Sequence, residues 1–263
     1  MRQIAVTNQK GGSGKTTTAV NLGAALGEKG KRVLVLDLDP QASASAWFGV
    51  KDGGRGLLDV LTEGRPLAPL VQATSAPGVD LVPSSTWLVG VEKALAGELG
   101  TETLLRRALE RLPPRWDLVL VDCPPSLGLL AVSALTACGE VLVPVETRVM
   151  ALAGLASLVQ TVERVRERLN PALRLAGLLA CRVDARTRLS QDVVQTLRER
   201  FGDDVFRTVI RENVRLAEAP SFAKPITLYD GRSTGAEDYR AAAAELLKRE
   251  QGTEGTKGTK RKR

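Results

Sequence analysis

Ile4-Ala5-Val6-Thr7-Asn8-Gln9-Lys10-Gly11-Gly12-Ser13-Gly14-Lys15-Thr16-Thr17-Thr18 stands almost at the start of the chain and decides how the rest is read. An apolar run of strand type enters a glycine-rich turn, and an alanine-rich pattern of helical type leaves it between Thr16 and Gly27. Strand, loop and helix N-terminus in that order make a phosphate cradle. Gly11, Gly12 and Gly14 can take positive φ, which lets successive N–H groups converge on one anion, and the helix adds the positive end of its dipole. Gly11, Gly12, Ser13, Gly14, Lys15, Thr16 and Thr17 are therefore the nucleotide-binding candidates. Lys15 is expected to reach the β- and γ-phosphates and the Thr16 hydroxyl to ligate Mg²⁺, so ATP and Mg²⁺ are the expected cofactors.

Two later runs end in acids. Arg32-Val33-Leu34-Val35-Leu36-Asp37-Leu38-Asp39-Pro40-Gln41 and Trp116-Asp117-Leu118-Val119-Leu120-Val121-Asp122-Cys123-Pro124-Pro125-Ser126 read as parallel strands covered on both faces. Their acids fall at the carboxyl ends, where ligands bind in open α/β sheets. Asp37 and Asp39 are candidates for metal and water work; Asp39 can alternatively open the turn before Pro40. Asp122 follows the Walker B pattern and is expected to hold Mg²⁺ opposite Thr16. The prolines after it stiffen a loop that can pass a change at the γ-phosphate to a helix from Leu127 to Cys138.

Composition narrows the classes. With 263 residues the chain can bury a core without staples. It contains no histidine, which removes His-based triads and the common zinc sites. Cys123, Cys138 and Cys181 are widely spaced among apolar residues, as buried reduced thiols are, and no Cys-x-x-Cys occurs. No apolar run is long enough to span a membrane and no leader precedes the first strand, so a cytoplasmic protein is expected; the Gly/Thr-rich basic tail has no apolar face to enter a bilayer, so no membrane partner is expected. The net charge is +7 and the pI near 9.6, which favours an anionic partner, nucleic acid or an acidic membrane surface. Aromatic residues make up only 3%, so any DNA contact should be to phosphates.

Further along, residues 51 to 78 are punctuated by Gly, Pro and Thr, with a helical piece around Leu57 to Leu61. Strands are expected at Val79 to Val82, Glu140 to Val145, Leu173 to Val183 and Val205 to Ile210. Helices are expected at about 87 to 97, 101 to 112, 151 to 168, Ser190 to Phe201 and Gly235 to Glu250. Strands alternating with helices predict an α/β fold with a doubly wound, mainly parallel sheet flanked by helices. Residues 1–250 read as one ATPase domain, and 251–263, Gly/Thr-rich and basic, as a disordered tail.

The loop departs from the general P-loop, which has glycine where this chain has Gln9 and lacks a second lysine at Lys10. In this it resembles the deviant Walker A motif of the ParA/MinD group of P-loop ATPases. Asp37-Leu38-Asp39-Pro40-Gln41, the Asp122-Cys123-Pro124-Pro125-Ser126 string and Asn213-Val214-Arg215-Leu216-Ala217-Glu218-Ala219-Pro220-Ser221 also resemble that family, so the resemblance runs from residue 3 to about 248. It is nearest to the short ParA/Soj chromosome-partitioning ATPases. The resemblance implies that Lys10 crosses a dimer interface to the partner's nucleotide, that Asp39 positions the attacking water, and that Asp37 supports the magnesium site. It implies adenine recognition near Asn213, although relatives carry Pro-Arg where this chain has Arg211-Glu212. It further implies that Arg186 and Arg215, extended by Lys224, bind non-specific double-stranded DNA, that ATP drives a homodimer, and that a ParB-like centromere-binding protein stimulates slow hydrolysis. A MinD-like positioner of other cargo and an ATP-dependent ligase on the same fold are the rival readings.

Overall fold

The computed structural model describes residues 1–148 and 151–255. Strands β1 (Arg2–Val6), β2 (Val33–Asp37), β3 (Gln72–Ala73), β4 (Val79–Val82), β5 (Leu118–Asp122), β6 (Glu140–Glu146), β7 (Arg174–Val183) and β8 (Ile210–Arg211) form one sheet in the order β3-β4-β2-β5-β1-β6-β7-β8. Every pairing is parallel except that of β3 with β4.

Period-two alternation explains how β-branched and leucine-rich runs serve two cores at once. Ile4, Val6, Val33, Val35, Leu118 and Leu120 face one layer, built on α1 (Lys15–Glu28) and α11 (Thr234–Gly255), with Leu22, Leu26, Tyr239 and Leu246. Ala5, Leu34, Leu36, Val119 and Val121 face the other. That second layer is supplied by α3 (Gly56–Glu63), α4 (Val91–Ala94), α5 (Leu104–Glu110), α6 (Leu129–Ala137), α7 (Ala151–Arg168) and α8 (Arg188–Phe201). The expected doubly wound α/β architecture is the observed one.

Several local expectations are corrected. The helix read at 87–97 is a 3₁₀ turn, Thr86–Gly90, followed by the single turn of α4, because Gly90 starts a new segment and Gly97 sits at φ 86°. The helix read at 101–112 is a 3₁₀ turn to Thr103 and then α5. In place of a strand over 205–210, Val205 makes an isolated bridge to Leu178 and only Ile210–Arg211 pair with β7. Three short helices have no counterpart in the sequence reading: α2 (Ser43–Trp47), α9 (Val214–Glu218) and α10 (Ile226–Tyr229). They are too short to show a helical period and are held by tertiary contacts such as Trp47 Nε1 to the Lys224 carbonyl at 2.8 Å. Helix α11 continues to Gly255; the rest of the expected tail, 256–263, lies outside the described residues.

Candidate functional site

The sheet brings the two acid-terminated strands and the glycine loop to one edge. Asp37 and Asp122 are register partners across β2 and β5, and Asp122 is also the partner of Val6, after which the loop begins. Gly12 and Gly14 take φ of 74° and 92°, the left-handed region open to glycine, whereas Gly11 stays outside it. Gly14 is the N-cap of α1, with no side-chain cap and no acid in the first turn, so the N–H groups of Lys15, Thr16 and Thr17 are left for an anion. The Ser13 hydroxyl is fully buried without a hydrogen-bond partner.

Lys15 is 6% exposed, and its Nζ donates to the Lys10 carbonyl at 3.3 Å. Burial lowers its pKa, opposed by the charges of Asp122 and Asp39. The three aspartates differ sharply in how they are satisfied. Asp37 accepts from the Ser45 N–H and hydroxyl at 2.8 and 2.7 Å and from the Asp39 N–H at 3.2 Å, and so ties the turn together. Burial nevertheless pushes its carboxyl up to about 6. Asp39 accepts from the Gln41 N–H at 3.0 Å, and its carbonyl takes the Ser84 hydroxyl at 2.7 Å.

Asp122 is fully buried, and neither of its carboxylate oxygens has a partner. Burial, then the neighbouring Asp37 charge, pushes its pKa well above the usual carboxylate range, against the Thr16 hydroxyl and Lys15. Two orphaned, buried carboxylate oxygens beside a left-handed glycine loop are the arrangement a magnesium nucleotide would complete, so the residues present fit both groups.

Lys10 does not point at Lys15. Its Nζ pairs with Glu146 Oε2 at 3.1 Å, at the end of β6. Glu146, 5% exposed, also receives Arg148 and Arg182, each at 3.0 Å. Sequence reading missed this carboxylate although the signal was present, since β6 is a third apolar strand that ends in an acid. It missed Ser45 and Ser84 as well, whose hydroxyls hold Asp37 and Asp39 and carry no pattern of their own.

The remaining candidates lie apart from the loop. Asn213 caps α9, its Oδ1 accepting from the Leu216 N–H at 3.0 Å while Nδ2 donates to the Thr234 hydroxyl at 2.6 Å. Arg211 pairs with Asp238 at 2.7 Å and Glu237 at 3.3 Å. Arg186 follows β7 with its side chain 88% exposed, paired to Asp184 at 2.9 Å. Arg215 is 58% exposed and pairs with Glu218 at 3.0 Å. Lys224 is exposed beside α10.

A family model described as an AAA domain matches residues 1–175. The chromosome-partitioning ATPase Soj of Thermus thermophilus is 49% identical over 251 residues, covering 95% of this chain and 97% of that protein. The chromosome partitioning protein ParA of Caulobacter vibrioides is 44% identical over 254 residues, 95% of each. Among solved structures, cobyrinic acid a,c-diamide synthase from Mycobacterium smegmatis with bound ATP analog and magnesium is 34% identical with a TM-score of 0.84, covering 95% of this chain and 96% of that one. With a two-lysine glycine loop, three acid-ended strands and relatives matched along nearly their whole lengths, the chain belongs to the ParA/Soj family of P-loop ATPases.

Proposed function

We propose that this ATPase positions DNA by an ATP-timed dimer switch. ATP and Mg²⁺ are its cofactors, as similarity to solved proteins holding an ATP analog or ADP with magnesium supports. Lys15 and the loop amides from Gly11 to Thr17 hold the phosphates, and Thr16 and Asp122 hold the ion, with Asp37 fixing the turn beside them. When bound, Mg²⁺ offsets phosphate charge and stabilises the transferring phosphoryl group. Asp39 aligns the attacking water. The observation that carries this reading is the buried, unpartnered carboxylate of Asp122 at the mouth of the loop.

Lys10, 31% exposed, leaves Glu146 to reach the nucleotide of a second subunit. Asn213 borders the base. Two closed subunits present Arg186, Arg215 and Lys224 together with their symmetry mates to the phosphates of double-stranded DNA. Doubling the phosphate contacts changes log affinity nearly in proportion, which turns negligible binding into firm binding at physiological salt. Hydrolysis, slow alone and stimulated by a ParB-like protein, ends the DNA-bound state. The reading places the chain in the cytoplasm on the nucleoid, with 1–250 as the ATPase domain and the basic charges of 251–263 adding phosphate contacts.

Binding to a long non-specific duplex with ATP, ADP or no nucleotide tests it. Asp39→Ala should bind DNA persistently with ATP, and Lys10→Ala or Arg215→Glu should not bind. Equal binding in every nucleotide state, or none, refutes it and leaves a positioner of other cargo.

A further inference from the structure

The loop that carries Lys224 hangs from the nucleotide site at two points. Asn21, fully buried in α1, donates from Nδ2 to the Thr17 carbonyl at 2.7 Å, and its Oδ1 accepts the Ile226 N–H at 2.7 Å. Thr17 lies in the first turn of α1, so this pin runs from the phosphate site to the residue two beyond Lys224. The second pin runs through α2. Just before that helix the Ala42 N–H donates to the Asp39 carbonyl at 2.8 Å, and within it Ser45 holds Asp37. Two residues on, Trp47, 5% exposed, donates its indole N–H to the Lys224 carbonyl at 2.8 Å.

A buried indole N–H usually finds a partner. What distinguishes this one is the strain at both ends of the link. Left-handed backbone is costly for a residue with a Cβ, and among the described residues only Ala42, Arg182 and Ala223 adopt it besides glycines. Ala42, at φ 53°, is the N-cap of α2, and no side chain caps that helix. Ala223, at φ 51°, directly precedes Lys224, and a Cβ on Gly49 would lie 3.7 Å from its own. Neither alanine has a polar side chain to favour the conformation locally, so the tertiary contacts around α2 impose it. The Asp39 turn and the Lys224 loop are thus two strained segments joined by one short helix and one hydrogen bond.

Lys224 is exposed while Pro225 and Ile226 after it are buried, so its backbone is fixed and its side chain faces solvent. Arg186 and Arg215 are each paired with a carboxylate, whereas no carboxylate among the described residues pairs with Lys224. We infer that Trp47 is a positioning residue for the DNA contact of Lys224. It ties the backbone of that loop to the Asp39 turn, so that a nucleotide whose γ-phosphate orders the turn also sets Lys224 against a phosphate of the duplex. The inference rests on the DNA-positioning reading above. It adds a step inside one subunit, separate from the doubling of contacts when two subunits close.

Trp47→Phe keeps an aromatic ring and removes the donor. Binding of the full chain to a long non-specific duplex, measured with Mg²⁺ and either ATP or ADP, gives the ratio of the two affinities. The variant should lose about five-fold of the parent's preference for ATP, the scale of one hydrogen bond, through weaker binding in the ATP state. Its turnover without DNA and its ATP-dependent self-association should stay unchanged. Ala223→Gly, which takes φ 51° without strain, should lower the ratio in the same way by letting the loop leave its set position. Lys224→Ala should cost affinity in the parent and almost nothing further in Trp47→Phe, a non-additivity that a merely structural tryptophan would not show. The inference is overturned if both variants keep the parent's ratio, if Trp47→Phe weakens binding equally with ATP and ADP, or if Lys224→Ala costs the same in both backgrounds. A parent that binds DNA equally in both nucleotide states, or not at all, would refute the DNA-positioning reading itself, and the inference with it.

Discussion

Lys10 and Glu146 form an ion pair of 3.1 Å within one chain, and the same carboxylate holds Arg148 and Arg182. Arg182 reaches it from a left-handed backbone, φ 53°, at a β7 irregularity, a conformation that costs a non-glycine residue about 1 kcal/mol. The loop's leading lysine is therefore parked on its own subunit, and release from Glu146 must precede any reach toward a second one.

Glu146→Gln should weaken that hold without removing the hydrogen-bonding side chain. A half-buried pair of this kind is worth about 1 kcal/mol and a two-fold dimer releases one from each subunit, so ATP-dependent self-association is expected at roughly thirty-fold lower protein concentration, measured by sedimentation velocity. Unchanged association would mean that the pair does not oppose dimer formation.

Asp122→Asn removes a carboxylate whose ionised form is disfavoured by burial and by the neighbouring Asp37 in the nucleotide-free fold. The variant is expected to be more stable than the parent by about 1–3 kcal/mol in urea titration without ligand. It should also lose the extra stability that ATP confers only when Mg²⁺ is present, since that gain scales with binding to the folded state. Magnesium-dependent protection equal to that of the parent would place the ion elsewhere.

Glu140, 5% exposed, binds Arg2 at 2.7 Å and Arg174 at 2.9 Å where β1, β6 and β7 begin. Burial by itself would raise its carboxyl, but Arg2 and Arg174 outweigh burial and hold the pKa below its ordinary value. A depressed carboxyl contributes stability that is complete above the unfolded-state pKa and disappears as pH falls through the folded one. Glu140→Gln should cost about 1–2 kcal/mol at neutral pH by removing the charge that Arg2 and Arg174 share, and should flatten the loss of stability below about pH 4.5. Urea midpoints measured between neutrality and pH 3 check both.

Gly27 sits near the end of α1, where alanine is intrinsically the better residue by about 1 kcal/mol. A Cβ there would strike the Pro77 carbonyl and press on Val79 at 3.1 Å. Gly27→Ala is therefore expected to destabilise by about 2 kcal/mol, overpacking outweighing propensity, whereas the same change at open Gly30 acts only through its φ of 76°. Thermal melts of the two variants separate the causes.

The legible part of this chain is what neighbouring residues decide among themselves. A run such as Leu118-Val119-Leu120-Val121 can only be a strand covered on both faces, Gly12 and Gly14 can turn where other residues would strain, and an acid ending such a strand must emerge at the carboxyl edge of a parallel sheet. The glycine loop, Asp37, Asp39 and Asp122 were all readable on that basis.

Tertiary structure decided which of those groups were already spoken for. Asp37 is saturated by Ser45, Lys10 is held by a residue 136 positions away, and both carboxylate oxygens of Asp122 are left buried without a hydrogen-bond partner. It also reduced an expected strand at 205–210 to a bridge and two residues, and brought Ser84 and Glu92 onto the two acid-bearing turns. Residue type and spacing set backbone conformation because those forces act within a few residues. Pairing and desolvation depend on which distant segments share an edge of the sheet, and only the folded order β3-β4-β2-β5-β1-β6-β7-β8 settles that.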